Sequence, residues 1–112
     1  MKLRLRRDQQ KSGLFGLGKG FDFVLHFKAE FTPEEKELIN KYGVKDYILV
    51  KYKADGVEVS VRVEELEKGG SIYMKNVTEL LDLEEKLVEA CKFLKMLLEV
   101  MASFGGERVI EI

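Results

Sequence analysis

The sequence predicts an α+β fold, in which an antiparallel β-sheet is packed on one face by a long C-terminal α-helix and a shorter capped helix spans 33–42. Three observations predict it. Two segments with alternating apolar residues flank a glycine-rich stretch, two more flank an Asp-Gly turn, and apolar residues recur at helical spacing near the end of the chain. Because 112 residues suffice for one hydrophobic core, we expect a single domain over 1–112.

The first two predicted strands form a long N-terminal hairpin. KLRLRR places Leu3 and Leu5 on one face and basic side chains on the other. FDFVLHFKAEF, from Phe21 to Phe31, alternates in the same way and more strongly. This pattern is typical of an antiparallel sheet with one buried face and one solvent-exposed face. We expect the same sheet to include the hairpin at the Asp-Gly turn.

A glycine-rich loop at about residues 9–20 joins these strands. Its segment GLFGLGKG matches the G-x-x-x-x-G-K pattern of phosphate-binding loops through Gly13, Gly18 and Lys19. However, Gly20 stands where a hydroxyl should reach magnesium, and the loop leads into a strand instead of a helix whose N-terminus would hold the anion. We therefore interpret it as a connection between strands.

The segment FTPEEKELINKYG marks both ends of the shorter helix. Thr32 can cap it, Glu35 completes a reciprocal capping box, and Pro33 suits the first helical position. Gly43 can adopt the left-handed backbone conformation that commonly ends a helix. The cap and the helix dipole explain the acidic pair Glu34 and Glu35, so that pair requires no catalytic role.

The segment DYILVKYKADGVEVSVRVEE predicts a hairpin with a defined register. A type I′ turn at Asp55-Gly56 would place apolar residues opposite each other on one face and polar residues on the other. The apolar pairs are Ala54–Val57, Tyr52–Val59, Val50–Val61 and Ile48–Val63; the polar pairs are Lys53–Glu58, Lys51–Ser60 and Tyr47–Glu64. A slip of one residue would destroy both sets.

The remaining chain contains a helical turn, a short extended segment and the long helix. EELEKGG predicts one helical turn, SIYMKN a short strand or link, and ERVIEI a final strand. The long helix begins near Val77, capped by Asn76, or restarts near Leu83, and it ends at Gly105-Gly106. Its predicted core stripe comprises Leu80, Leu83, Leu87, Cys91, Leu94, Leu98 and Met101.

Apolar residues also occupy the outer face of the long helix in its second half. This outer stripe consists of Phe93, Met96 and Val100, with Phe104 one turn beyond. A helix that is apolar nearly all round must be covered on both sides, and one sheet covers only one of them. The helix at 33–42, the glycine-rich loop or a second copy could supply the other cover. We favour a second copy, so the stripe is the predicted interface of a homo-oligomer, preferably a dimer.

Charge is unevenly distributed along the chain. The formal net charge is −1, yet residues 1–20 hold six basic residues against one acidic residue. We call residues 1–20 the basic arm. We expect it to contact either nucleic acid or the acidic remainder of the same protein. We favour the second, because no aromatic residues lie between the basic ones to stack on bases. The candidate contact residues are Lys2, Arg4, Arg6, Arg7, Lys11 and Lys19.

The sequence contains few residues of the types that commonly act in catalysis or bind metal ions. His26 is the single histidine and Cys91 the single cysteine, so one chain cannot build a zinc site of the usual type. The serines lie in no nucleophile motif; they are Ser12, Ser60, Ser71 and Ser103. We therefore expect no enzyme activity, no cofactor and no small-molecule substrate.

Composition indicates a cellular environment more than an activity. A lone cysteine fits a reducing compartment, and no apolar run approaches the ~20 residues of a membrane span, which predicts a cytoplasmic protein. Charged residues make up 35% of the chain and Asn and Gln are rare, as is typical of hyperthermophile proteins. The predicted function is that of a small, non-catalytic assembly protein that self-associates; the alternative is nucleic-acid binding through the basic arm.

Overall fold

A computed structural model describes residues 1–11, 21–54 and 56–112 of the chain. The antiparallel strands in these ranges pack against a long C-terminal helix, which confirms the predicted α+β class. The interpretations of Gly13–Gly20 and of the turn at Asp55 fall outside the described residues. The elements are β1 (Lys2–Lys11), β2 (Phe21–Glu30), α1 (Pro33–Tyr42), β3 (Ile48–Ala54), β4 (Val57–Arg62), α2 (Val63–Lys68), β5 (Gly70–Met74) and α3 (Val77–Ala102).

The strands form two sheets, whereas the sequence predicted one. The first has the order β1-β2-β5 and the second pairs β3 with β4. The single-sheet prediction is wrong because β5, from the SIYMKN segment, pairs with β2 along the edge that the Asp-Gly hairpin would have needed. In addition, β1 extends to Lys11, past the predicted start of the glycine-rich loop at residue 9.

The predicted register of the β3–β4 hairpin holds from Ala54–Val57 to Val50–Val61 and fails beyond it. Ile48 pairs with Arg62 because the ladder is irregular between Ile48 and Val50. Val63 is instead the first residue of α2, and its backbone N–H donates to the Tyr47 carbonyl at 3.0 Å. The predicted pairs Ile48–Val63 and Tyr47–Glu64 are therefore wrong, and Ile48 is left exposed at the surface.

Local signals set both ends of α1 and the start of α3 as predicted, whereas α3 ends at Ala102, before the predicted stop at Gly105-Gly106. Thr32 and Glu35 form the capping box of α1, with hydrogen bonds of 3.1 and 2.9 Å, and Gly43 is left-handed with φ 63°. The Asn76 side chain accepts a 2.8 Å hydrogen bond from the Glu79 N–H at the start of α3. The helix then runs unbroken to Ala102, so the second predicted start near Leu83 is not used.

The core lies between α3 and the apolar faces of the strands. Residues of α3 predicted to be buried are buried, with Met101 partly so. They pack with Leu25, Phe27 and Ala29 of β2 and with Val50 and Tyr52 of β3. None of the helices among the described residues combines the length and hydrophobicity that a membrane crossing requires.

The segment 107–112 does not form the predicted final strand. No strand among the described residues pairs with it. Its apolar residues Val109, Ile110 and Ile112 are 79%, 64% and 119% exposed. A strand-like pattern without a pairing edge is not stable as a strand, which explains the failed prediction.

Candidate functional site

The outer stripe is exposed on α3. Phe93, Met96, Val100 and Phe104 are 51%, 55%, 48% and 61% exposed. The first three lie on α3 and recur at i, i+3 and i+7, so they follow one line on the side of the helix away from its most buried residues. Phe104 continues this line in the turn after the helix. The chain thus leaves a row of large apolar side chains facing solvent.

One of the predicted covers, α1, reaches only the end of this row. The Tyr42 ring meets Phe104 edge to face, with centroids 5.9 Å apart and the planes at 77°. The Tyr42 hydroxyl also donates a 3.2 Å hydrogen bond to the Met101 carbonyl. These contacts hold the C-terminal turn of α3, but they leave Phe93, Met96 and Val100 open. The second predicted cover, the glycine-rich loop, falls outside the described residues.

A groove between α3 and β3 adjoins the stripe. We call this the α3–β3 groove; its volume is about 330 Å³. Phe93 belongs both to the groove and to the stripe, so the two form one continuous surface. The groove is lined by Leu49, Val50, Lys51, Lys86, Glu89, Ala90 and Phe93. Its lining thus combines apolar side chains with two lysines and one glutamate.

A second cleft, of about 250 Å³, lies on the other side of α3 against β1. Leu3 and Leu5 of β1 contribute to its apolar lining together with Cys91. Burial raises the pKa of the Cys91 thiol, so the thiol stays protonated at neutral pH and acts as a small hydrophobic group. The structure therefore supports packing as the role of Cys91.

Described members of the basic arm contact acidic groups of their own chain. Arg4 Nε lies 2.7 Å from a Glu30 oxygen, and Arg6 lies 3.2 Å from Asp8. Lys2 is the cross-strand partner of Glu30. The Arg4 hydrogen bond holds the pKa of Glu30 below its usual value. The side chain of Lys11 and all of Lys19 fall outside the described residues.

Arg7 points to the opposite face of β1 and ties the strand to α3. Its guanidinium makes two hydrogen bonds to the Glu84 carboxylate, at 2.6 and 2.7 Å. These hydrogen bonds lower the pKa of Glu84 and raise that of Arg7. The geometry thus favours the interpretation in which the arm meets the acidic body of the same protein.

The structure also assembles a cluster that sequence reasoning missed. His26 Nδ1 lies 2.6 Å from Ser71 Oγ, and His26 Nε2 lies 2.7 Å from Asp8 Oδ2. Because His26 pairs with Arg6 on β1 and with Ser71 on β5, the register brings the three side chains to one face. The sequence did not predict this cluster, because it did not predict that β5 pairs with β2.

The hydrogen-bonded series Asp8–His26–Ser71 has the residue types of the catalytic triad of serine hydrolases. Its surroundings differ from those of a catalytic triad. A nucleophilic serine works beside hydrogen-bond donors aimed at the developing oxyanion, in a site that excludes water. Here all three side chains lie on the solvent face of a sheet, and Arg6 shares the Asp8 carboxylate. Cross-strand hydrogen bonds of this kind stabilise strand pairing. In the described part of the chain, no group of three or more His, Cys, Asp or Glu residues is arranged to hold a metal ion.

Comparisons with protein families, with curated proteins and with solved structures found no match to this chain. The chemistry of its own surfaces is therefore what bears on its function.

Proposed function

We propose that this protein is a small, non-catalytic assembly protein that forms a homodimer through the outer stripe. The supporting observation is the row of large apolar side chains that are about half exposed from Phe93 to Phe104. Apolar rows of this length on a helix face are driven out of water, and they usually mark an interface.

The charges beside the stripe favour a second copy as the partner. Lys92 and Glu99 lie on the same flank of the stripe, next to Met96, and they carry opposite charges. Lys92 Nζ also lies 3.4 Å from Glu89 Oε1 of its own chain, an exposed contact that water screens. A surface with both signs is complementary to itself when a two-fold axis brings the two copies together. A surface with one sign would instead demand a partner of the other sign.

The direct test compares the unaltered chain with Met96→Glu by size-exclusion chromatography with light scattering. The unaltered chain should show twice its 12.9 kDa mass, and Met96→Glu should show 12.9 kDa, because the new carboxylate would be buried without a partner. Tyr73→Glu is the matched control: Tyr73 is also 55% exposed but lies on β5, away from the stripe, so this variant should remain dimeric. A dimer that survives Met96→Glu would reject the proposed interface.

Nucleic-acid binding remains the alternative function and has weaker support. Arg4, Arg6 and Arg7 already pair with Glu30, Asp8 and Glu84, so binding phosphate would require breaking these contacts. Salt-sensitive binding to DNA or RNA that disappears when Arg4 and Arg6 become Glu would favour this alternative. The lone, buried Cys91 is consistent with a reducing compartment, and we propose that the protein works in the cytoplasm.

A further inference from the structure

We propose that the free edge of β1 binds an extended segment of a partner protein in which apolar and acidic residues alternate. We call residues 1–6 together with the cleft beneath them the β1 edge. Three observations carry the proposal: a strand with one unpaired side, an apolar cleft at that side, and basic side chains on the outer face. This surface goes beyond the proposed dimer and does not depend on it.

β1 lies at one end of the first sheet. It pairs with β2 along one side over its whole length, and no strand among the described residues pairs along its other side. Successive residues of a strand direct their N–H and C=O groups to opposite sides, so alternate residues of β1 direct these groups to the open side. Such an edge can hydrogen-bond an added strand.

The cleft at the β1 edge has room for the apolar side chains of an added strand. Its volume is about 250 Å³, and its described lining comes from residues 1–5 and from α3, with no residue of β2. The cleft therefore lies at the open side of β1. Leu3 and Leu5 are only partly buried in it, so apolar neighbours would remove more of their surface from water.

The outer face of the β1 edge is basic. Lys2, Arg4 and Arg6 are exposed there, on the face opposite to the two leucines. Arg4 and Arg6 share a shallow pocket of about 240 Å³ with Lys28 and His26 of β2. In an added strand, every second side chain would lie beside this face.

Two carboxylates on this face offset part of its charge. Glu30 contacts Arg4 at 2.7 Å, and Asp8 contacts both Arg6 and His26. The four Lys and Arg residues still exceed these two acids, so the face keeps a positive charge. The pairs are exposed and screened by water, and each guanidinium has five N–H donors, so a further carboxylate can share them. The outer face therefore favours acidic side chains.

The charges on the cleft side are more nearly balanced. Lys92 and Lys95 are the charged residues in the described lining. Glu89 Oε1 lies 3.4 Å from Lys92 Nζ. Glu85 and Glu99 of α3 lie about one turn beyond the two ends of the lining. The cleft side thus selects mainly for apolar side chains, and the outer face for acidic ones.

A second copy of β1 fits this edge poorly. If two copies paired antiparallel with Leu3 opposite Leu5, Arg4 would lie opposite Arg4 and Lys2 opposite Arg6. Like charges directly opposite each other destabilise a strand pair. Nucleic acid would meet the basic face, but it has no peptide backbone to continue the sheet and no apolar side chains for the cleft. An acidic, alternating peptide satisfies all three features.

Fluorescence anisotropy of labelled peptides tests this contact on the unaltered chain. The probe is the peptide EVEVEVE, blocked at both ends, and the control EEVVVEE has the same composition. We expect the probe to bind roughly tenfold more tightly or better, because only its order directs every valine to the cleft and every glutamate to the basic face. Equal binding of the two peptides would overturn the proposal.

N-methylation separates backbone pairing from attraction between charges. In the extended probe, the valine N–H groups point to one side and the glutamate N–H groups to the other. One peptide is methylated at three valine nitrogens and another at three glutamate nitrogens, so each has a different side blocked. Because one side alone faces β1, one peptide should bind and the other should not. Equal binding by both, whether tight or weak, would contradict strand addition.

Charge variants locate the site. Arg4→Glu combined with Arg6→Glu should weaken probe binding about tenfold or more, because the outer face then repels the glutamates. Lys45→Glu combined with Lys53→Glu is the matched control: both lysines are exposed outside the β1 edge, and the net charge changes equally. Equal weakening in both double variants would reveal long-range attraction alone and would overturn the site.

The outcomes separate this inference from the proposed function. A dimer that does not prefer the probe would overturn the peptide site and leave the stripe interface standing, whereas a monomer that binds the probe as expected would do the reverse. An oligonucleotide that displaces the probe at equal or lower concentration would favour nucleic acid as the occupant. A probe that splits the dimer would show that a second copy occupies the edge. Either of these last two results would overturn the peptide proposal.

Discussion

The bidentate pair between Arg7 and Glu84 shows how single residues connect the basic strand to the helix. Arg7 is on the face of β1 that carries Leu3 and Leu5, and this face is turned toward α3. Its guanidinium therefore meets the Glu84 carboxylate while the two leucines pack beneath α3. At this position, a basic residue of the N-terminal arm pairs with an acidic residue of the same chain.

Glu84→Gln should lower the free energy of unfolding by at most about 1 kcal/mol at pH 7, because Arg7 is largely exposed and water screens the pair. The Arg7 hydrogen bonds lower the folded-state pKa of Glu84 below its ordinary value of 4.5, although partial burial opposes the shift. The carboxylate therefore stabilises the fold above pH 4.5, and this contribution is lost as the pH falls through the lowered pKa.

Urea unfolding of both proteins between pH 7 and pH 3 checks this. The difference in unfolding free energy between the native chain and Glu84→Gln should shrink toward zero at the acidic end. Glu37→Gln is the control, because Glu37 is exposed on α1 and should leave stability unchanged at every pH. A difference that stays constant across the range would mean that the charge of Glu84 is not what stabilises the contact.

The hydrogen bonds of His26 are predicted to serve strand pairing and not catalysis. A fluorophosphonate probe, which labels activated serines, should react no faster with the native protein than with Ser71→Ala. His26→Ala should lower thermal stability, because it removes the bonds to Asp8 and Ser71. Labelling of Ser71 that depends on His26 would show a working nucleophile and would contradict the non-catalytic proposal.

At the scale of elements, Gly70 fixes how β5 lies against β2. Gly70 is the register partner of Phe27, whose ring lies over it. A Cβ added to Gly70 would lie 3.0 Å from Phe27 Cζ and 3.3 Å from Cε1. Phe27 is buried, so its ring has little room to move.

Gly70→Ala should therefore lower the free energy of unfolding by about 1–3 kcal/mol, the usual effect of overpacking a core. Gly106→Ala is the matched control, since its Cβ would meet only the Ser103 carbonyl at 3.4 Å, an ordinary contact. Chemical unfolding of both variants measures the difference. Equal stabilities would mean that the ring adjusts freely and does not fix β5.

Elements with local determinants were predictable from sequence. The capping box of Thr32 and Glu35 and the cap at Asn76 act within one helical turn, so their sequence patterns were sufficient. What failed depended on distant partners. Whether the Asp-Gly hairpin joined the first sheet depended on β5, and the strand at 107–112 needed an edge that the described chain does not provide.

At the scale of the molecule, the same distinction applies to the candidate sites. The outer stripe was predictable because helical spacing alone places Phe93, Met96 and Val100 on one face. The α3–β3 groove and the cluster at His26 were not, because they arise where separate elements meet.

The central claim is that the outer stripe is covered by a second copy. Sedimentation equilibrium of the unaltered chain over a range of concentrations measures this most directly. The mass should rise from 12.9 kDa to a plateau at twice that value as the concentration increases, and Met96→Glu should not reach the plateau. A mass of 12.9 kDa at every concentration would contradict it.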